Sequence, residues 1–165
     1  MGSQDRELFA LLEPIVETQG VDLVEVALVG GGRRPTLRIV IHSADGVTHG
    51  ECSRVTRAVA DGLDDAGMLS DGYELEVSSP GLRRVLKDPR EFRVFRGAPV
   101  RLWVAPAEGE TPAELVGRAE GTRDDEGVVL RTEDGRESVI PWSRVMKARL
   151  EDADTKAPGL GGKGR

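Results

Sequence analysis

Leu8, Leu11, Leu12 and Ile15 recur at helical spacing, so residues 4–18 read as an amphipathic helix. Pro14 cannot donate to the helical ladder and predicts a kink or a restart, and Gly20 is a suitable stop. VDLVEVALV then alternates as a strand with Val24, Val26 and Leu28 on one face. After Gly30-Gly31-Gly32, PTLRIVIH alternates again, with Leu37, Ile39 and Ile41 together. A short glycine loop between two strands predicts an antiparallel hairpin. Thr48 and Glu51 form a capping box ahead of the stripe Cys52, Val55, Val59 and Leu63, and Gly67 can end that second helix. In the strand that follows, Tyr73, Leu75 and Val77 face one way and Glu74, Glu76 and Ser78 the other. The first half is therefore α-β-β-α-β. Three strands bury one face under two helices, while Glu25, Arg38, Glu74 and Glu76 leave the other face wet.

The pattern changes at Gly97. Val100, Leu102 and Val104 alternate, and ELVGRAEG, GVVLRTEDG and RESVIPW follow as short strand-like runs between turns such as Asp-Asp-Glu-Gly. Five short strands in roughly 50 residues predict a small closed β-barrel of the SH3-like (Sm-like) type. From Glu151 the polar, glycine-rich EDADTKAPGLGGKGR carries no core pattern. The expected organisation is an α+β chain. It has an N-terminal α/β domain over 1–88, a connector helix with a C-terminal barrel over 89–150, and a disordered tail over 151–165.

Charge sharpens this picture. The chain of 165 residues has a net charge of −6, and residues 1–88 carry all of it, with 9 Lys/Arg against 15 Asp/Glu. An acidic domain repels phosphate and suits a basic protein partner; solubility alone accounts for such a surface as well. Aromatic residues make up only 4% of the chain, which argues against a stacking platform for single-stranded nucleic acid. Inside this acidic protein, RRVLKDPREFRVFR (83–96) holds six basic and two acidic residues. It reads as an amphipathic connector helix with Phe92 and Phe95 packed on the barrel and a basic face turned outward. Arg83, Arg84 and Arg90 are the candidates for phosphate contact, and Glu74 and Glu76 the candidates for a basic protein.

The break Ser78-Ser79-Pro80-Gly81 has two readings. Glycine-rich turns can aim N–H groups at an anion, but the further glycines and the Lys-Ser/Thr of a phosphate loop are missing. Pro before Gly suits a type II turn, so Ser79, Pro80 and Gly81 are expected to turn the chain between domains. His42, His49 and Cys52 lack the spacing of a zinc site, and Cys52 lies on an apolar stripe. No nucleophile motif occurs. No catalytic residue, metal or cofactor is expected. The opening MGSQDRELFA lacks the layout of a secretory signal and has Arg6 where myristoylation needs Ser or Thr. No run reaches the length of a membrane span. A single cysteine excludes an internal disulfide, and a cytoplasmic setting is expected.

YELEVSSPGLRRVL, preceded by LRIVIHSADGV and followed by FRVFRG, resembles the bacterial ribosome maturation factor RimP family. The resemblance covers residues 5–150, including ELFALLEPIVETQGVDLVEV and VIPWSRVMKARL. The family commonly has an acid and a proline where this chain has Arg83 and Val85, and an aspartate in place of His42. The resemblance implies a non-enzymatic factor that binds the immature 30S subunit and assists its late assembly. Its implied partners are small-subunit ribosomal protein number twelve and neighbouring 16S rRNA, and its implied fold is an α/β domain followed by an SH3-like barrel. A monomer is expected. The alternative is an autonomous Sm-like RNA chaperone, which would need open barrel edges to close a ring.

Overall fold

The structure, a computed structural model, describes residues 2–81 and 83–152. The chain divides after Pro80 into two compact units.

The first unit is built from α1 (Ser3–Glu17), β1 (Asp22–Val29), β2 (Thr36–His42), α2 (His49–Ala66) and β3 (Glu74–Ser78). The sheet order is β1-β2-β3, with β1 antiparallel and β3 parallel to β2. The sequence accounts for α2 in full. Thr48 Oγ1 accepts the Glu51 N–H, Glu51 returns a bond to the Thr48 N–H, and Gly67 ends the helix at φ +66°. α1 runs through Pro14 without a restart, because proline removes one rung and tertiary packing of Leu8, Leu12 and Val16 holds the rest. Those side chains meet Leu37, Ile39 and Ile41 from β2 and Val55, Val59 and Leu63 from α2, all fully buried.

β1 departs from plain alternation. A bulge between Leu23 and Glu25 puts Leu23 opposite Ile41 and Val26 opposite Ile39. The extra residue at the bulge turns the strand over, so Leu23, rather than Val24, joins Val26 in the helix-side core. The expected wet face is also only partly polar: Arg38, Glu74 and Glu76 are exposed, but Val24 and Val40 are buried.

The second unit contains α3 (Pro89–Val94), β4 (Pro99–Val104), β5 (Ala113–Arg123), β6 (Gly127–Arg131), β7 (Glu137–Pro141), a single 3₁₀ turn (Trp142–Arg144) and β8 (Val145–Leu150). All its strands pair antiparallel in the order β7-β6-β5-β4-β8. The closed barrel that the strand count predicts is not what the ladder forms. The hydrogen-bonded sheet is open, with β7 and β8 at its two ends. The long β5 bends at a bulge between Ala119 and Gly121, where Gly121 takes φ +109°, a conformation only glycine adopts without strain. Phe92 in α3 and Phe95 at its C-cap are buried, at 3% and 1% exposure, and Phe92 meets Trp142 edge-on with centroids 5.4 Å apart.

The expected tail, 151–165, begins too early. Glu151 is buried, and its N–H donates to the Pro99 carbonyl at 2.9 Å, so it continues β8 alongside β4. Residues 153–165 lie outside the described residues.

Two glycines give opposite expectations. A Cβ at Gly127 would run into the Ile140 carbonyl, with its carbon only 2.6 Å away, and both are ladder backbone that cannot move separately. Gly127→Ala is expected to cost more than about 2 kcal/mol in denaturant unfolding. Gly62 lies inside α2, where a Cβ meets only the mobile end of Ile15. Gly62→Ala should cost less than about 0.5 kcal/mol or stabilise, because alanine gains about 1 kcal/mol of helix propensity.

Candidate functional site

The segment 83–96 is not one helix. Val85 and Leu86 favour extended backbone, and Pro89 pushes the residue before it out of the helical region. Asp88 accordingly sits at φ −147°, ψ 164°, and its carboxylate accepts the Glu91 N–H at 3.1 Å as the N-cap of α3. The Lys-Asp-Pro run is the signal that marks this boundary. Upstream of it the chain runs as an edge strand on β8. The Leu150 N–H donates to the Arg84 carbonyl at 2.8 Å, the Leu86 N–H donates to the Ala148 carbonyl at 2.9 Å, and Val85 faces Arg149 between them. Neither bond uses the Val85 N–H, so a proline at this position, common in the resembling family, would leave both rungs in place.

Strand alternation sorts the candidate arginines. Arg83, Val85 and Lys87 are exposed, while Leu86 is buried and Arg84 turns inward. Arg84 Nε donates to Glu91 Oε1 at 3.1 Å, and its Nη2 donates to the same oxygen. Glu91 Oε2 accepts the Lys87 N–H. The Glu91 side chain is 2% exposed and that of Arg84 12%. Arg84 is therefore a member of a buried ion pair that pins the edge strand to α3, and it presents little surface to a phosphate. Glu91, its counterpart, gave no sign in the sequence, where it reads as one more solvated helix carboxylate. Arg83 is exposed beside the edge strand, and Arg90 is partly buried on α3.

Ser79, Pro80 and Gly81 lie where the two units divide. A type II turn would need Gly81 at positive φ, which it does not take. The hydrogen-bonded turn lies further on, where the Gly81 carbonyl accepts the Arg84 N–H at 3.1 Å. Glu74 and Glu76 project from β3 on the exposed side, away from Leu75 and Val77. Glu76 faces Arg38 across the strands at 3.6 Å, with both side chains about half exposed, which makes a weak surface pair.

His42 closes the β1–β2 ladder opposite Asp22. Burial lowers its pKa, and the Asp22 charge opposes that only in part. Among the described residues, no three His, Cys, Asp or Glu side chains come together as a metal site.

A second cluster went unseen in the sequence because it forms only by strand pairing. Trp103 on β4 has Lys147 Nζ 5.1 Å and the Arg149 guanidinium carbon 5.2 Å from its ring centroid. Next to it, Glu151 accepts Arg101 Nε at 2.9 Å and Arg149 Nε at 3.2 Å, and Arg101 also pairs with Glu114. Burial alone would raise the Glu151 pKa, but the hydrogen bonds from Arg149 and Arg101 outweigh it and hold the carboxyl below its usual range.

The comparisons bear on both units. The family model described as the RimP N-terminal domain matches residues 11–83. The ribosome maturation factor RimP of Microcystis aeruginosa (strain NIES-843 / IAM M-2473) is 35% identical over 147 residues, which span 88% of this chain and 92% of that protein. The chain belongs to the RimP family. RimP proteins are ribosome maturation factors and a non-enzymatic family. Among the described residues, no helix is long and apolar enough to cross a membrane.

Truncating one partner of a buried ion pair leaves the other charge stranded, so Glu91→Ala should destabilise the second unit by about 3 kcal/mol in urea unfolding. Replacing both residues, Arg84→Met with Glu91→Leu, should recover most of that loss. Glu151 carries a pH signature. Its folded pKa is depressed, so its contribution is present above the unfolded carboxylate pKa and is lost as pH falls through the folded one. The stability difference between the wild type and Glu151→Gln should therefore be constant near neutrality and shrink below about pH 4.5.

Proposed function

We propose that this protein binds the immature 30S ribosomal subunit and assists late assembly, in the cytoplasm and as a monomer. The observation that carries the reading is family membership across 88% of the chain. The charge map supports it. Residues 1–80 hold 6 Lys/Arg and 14 Asp/Glu, whereas residues 81–152 hold 14 of each. The acidic first unit is suited to a basic protein, in this reading small-subunit ribosomal protein number twelve, with Glu74 and Glu76 as contacts. The second unit carries the cations and faces 16S rRNA through Arg83 and Arg90, while Arg84 acts by positioning the edge strand. The bent β5 with its glycine bulge supports an SH3-like curl for the second sheet. An Sm-like ring is disfavoured, because the segment 84–86 already occupies the edge of β8 that a neighbouring copy would need.

Sedimentation tests the reading. The protein should travel with isolated 30S particles and much less with mature 70S ribosomes; equal association with both, or with neither, contradicts it. In salt titrations against 30S particles, Arg83→Gln with Arg90→Gln should lower the log–log slope by about 0.7 to 0.9 per lost phosphate contact. Glu74→Gln with Glu76→Gln should weaken binding to the isolated ribosomal protein and spare binding to rRNA.

A further inference from the structure

The edge strand, β8 and β4 share one outward face. Register places Trp103 opposite Lys147 and Arg101 opposite Arg149, and Val85 stands opposite Arg149 on the other side. Arg83 and Lys87, which flank that short strand, are exposed. Lys147 and Arg149 lie over one indole and Arg101 stands two residues along β4, with Glu114 and Glu151 as the carboxylates paired to these arginines. Those carboxylates are engaged with Arg101 and Arg149, which leaves Lys147 as the cation over the ring that neither of them holds. A face with an aromatic ring at its centre and cations around it meets both requirements of single-strand recognition, a surface for base stacking and partners for the backbone.

We infer that this face binds single-stranded RNA, with Trp103 stacking on a base and Lys87 and Lys147 contacting the flanking phosphates. The inference deepens the ribosomal reading and rests on it for the source of the RNA. The low aromatic content of the chain does not oppose it, because one well-placed ring suffices for one stacked base. The indole is partly exposed, and two cations over such a ring hold it only weakly. An incoming base can take the place of Lys147 while the ammonium moves to a phosphate. Arg149 is held by Glu151 at 2.5 Å and stays as the rigid side of the platform. An acidic protein segment is the competing occupant, but it would use the cations and leave the indole without a partner of matching shape.

The test is fluorescence anisotropy with a labelled mixed-sequence RNA of about 12 nucleotides, within the site sizes usual for single-strand binders. Trp103→Leu is expected to weaken binding by about 10-fold, and Trp103→Phe to recover most of it. Lys87→Gln with Lys147→Gln should lower the salt slope by about 0.7 per lost contact. Arg123→Gln with Arg136→Gln, which removes equal charge from exposed positions off this face, should leave affinity within about 2-fold. Unchanged binding in the Trp103→Leu and double-lysine variants overturns the inference, as does binding of an acidic peptide in place of RNA. The same variants are sedimented with 30S particles. If the wild type binds RNA through Trp103 but does not travel with 30S, the inference stands and the ribosomal reading falls. If the wild type travels with 30S and the variants keep wild-type affinity for both RNA and particle, the inference falls and the ribosomal reading stands.

Discussion

A carboxylate cannot stay charged in a protein interior without partners, and Glu91 is buried with its side chain 2% exposed. Its two oxygens take the Arg84 guanidinium on one side and the Lys87 N–H on the other. This arrangement fixes residues 84–87 relative to α3, and much of the second unit depends on it. With Arg84 drawn inward, alternation turns Leu86 into the core and leaves Val85 and Lys87 outside. With the backbone extended, the Arg84 carbonyl and the Leu86 N–H reach β8 and add a further strand to its edge. The ion pair need not add net stability over an apolar pair of equal size. It makes any other placement of the segment expensive, because moving it would strand a charge.

The consequence for function is a sorting of charge by face. The basic segment read from the sequence as one surface is two. Arg84 serves the interior and Arg83 and Lys87 the surface, while Lys147 and Arg149, some sixty residues further along the chain, lie over Trp103. The first unit keeps its acidic balance, 6 Lys/Arg against 14 Asp/Glu over residues 1–80, and Arg38, Glu74 and Glu76 stand exposed on its sheet. For a member of a family of ribosome maturation factors, two units of such different charge match a particle made of basic proteins and phosphate.

Local signals carried the legible part of the fold. Thr48, Glu51 and Gly67 bound α2, the three glycines turn the first hairpin, and Leu37, Ile39 and Ile41 line the core, all in keeping with short-range pattern. Three features escaped for separate reasons. The bulge at Val24 inserts a residue that only the partner strand reveals, so Leu23 takes the core position that plain alternation gives to Val24, while Val26 and Leu28 keep theirs. A single helix over 83–96 is barred by Asp88-Pro89, which fixes where α3 can begin. The Trp103 cluster and the burial of Glu151 arise from pairing between β4 and β8, a contact between residues about fifty apart that no periodicity encodes.

The most direct test of this account is native-state amide hydrogen exchange at Leu86 and Leu150. Both N–H groups cross between β8 and the edge strand, Leu86 to the Ala148 carbonyl and Leu150 to that of Arg84. If residues 84–86 are a strand of the second unit, these two amides should be protected to about the same degree as those of β4, and open with them. Exchange of both at the rate of an unstructured loop, with β4 still protected, would show that the segment is a loose linker and would remove the basis for the surface it organises.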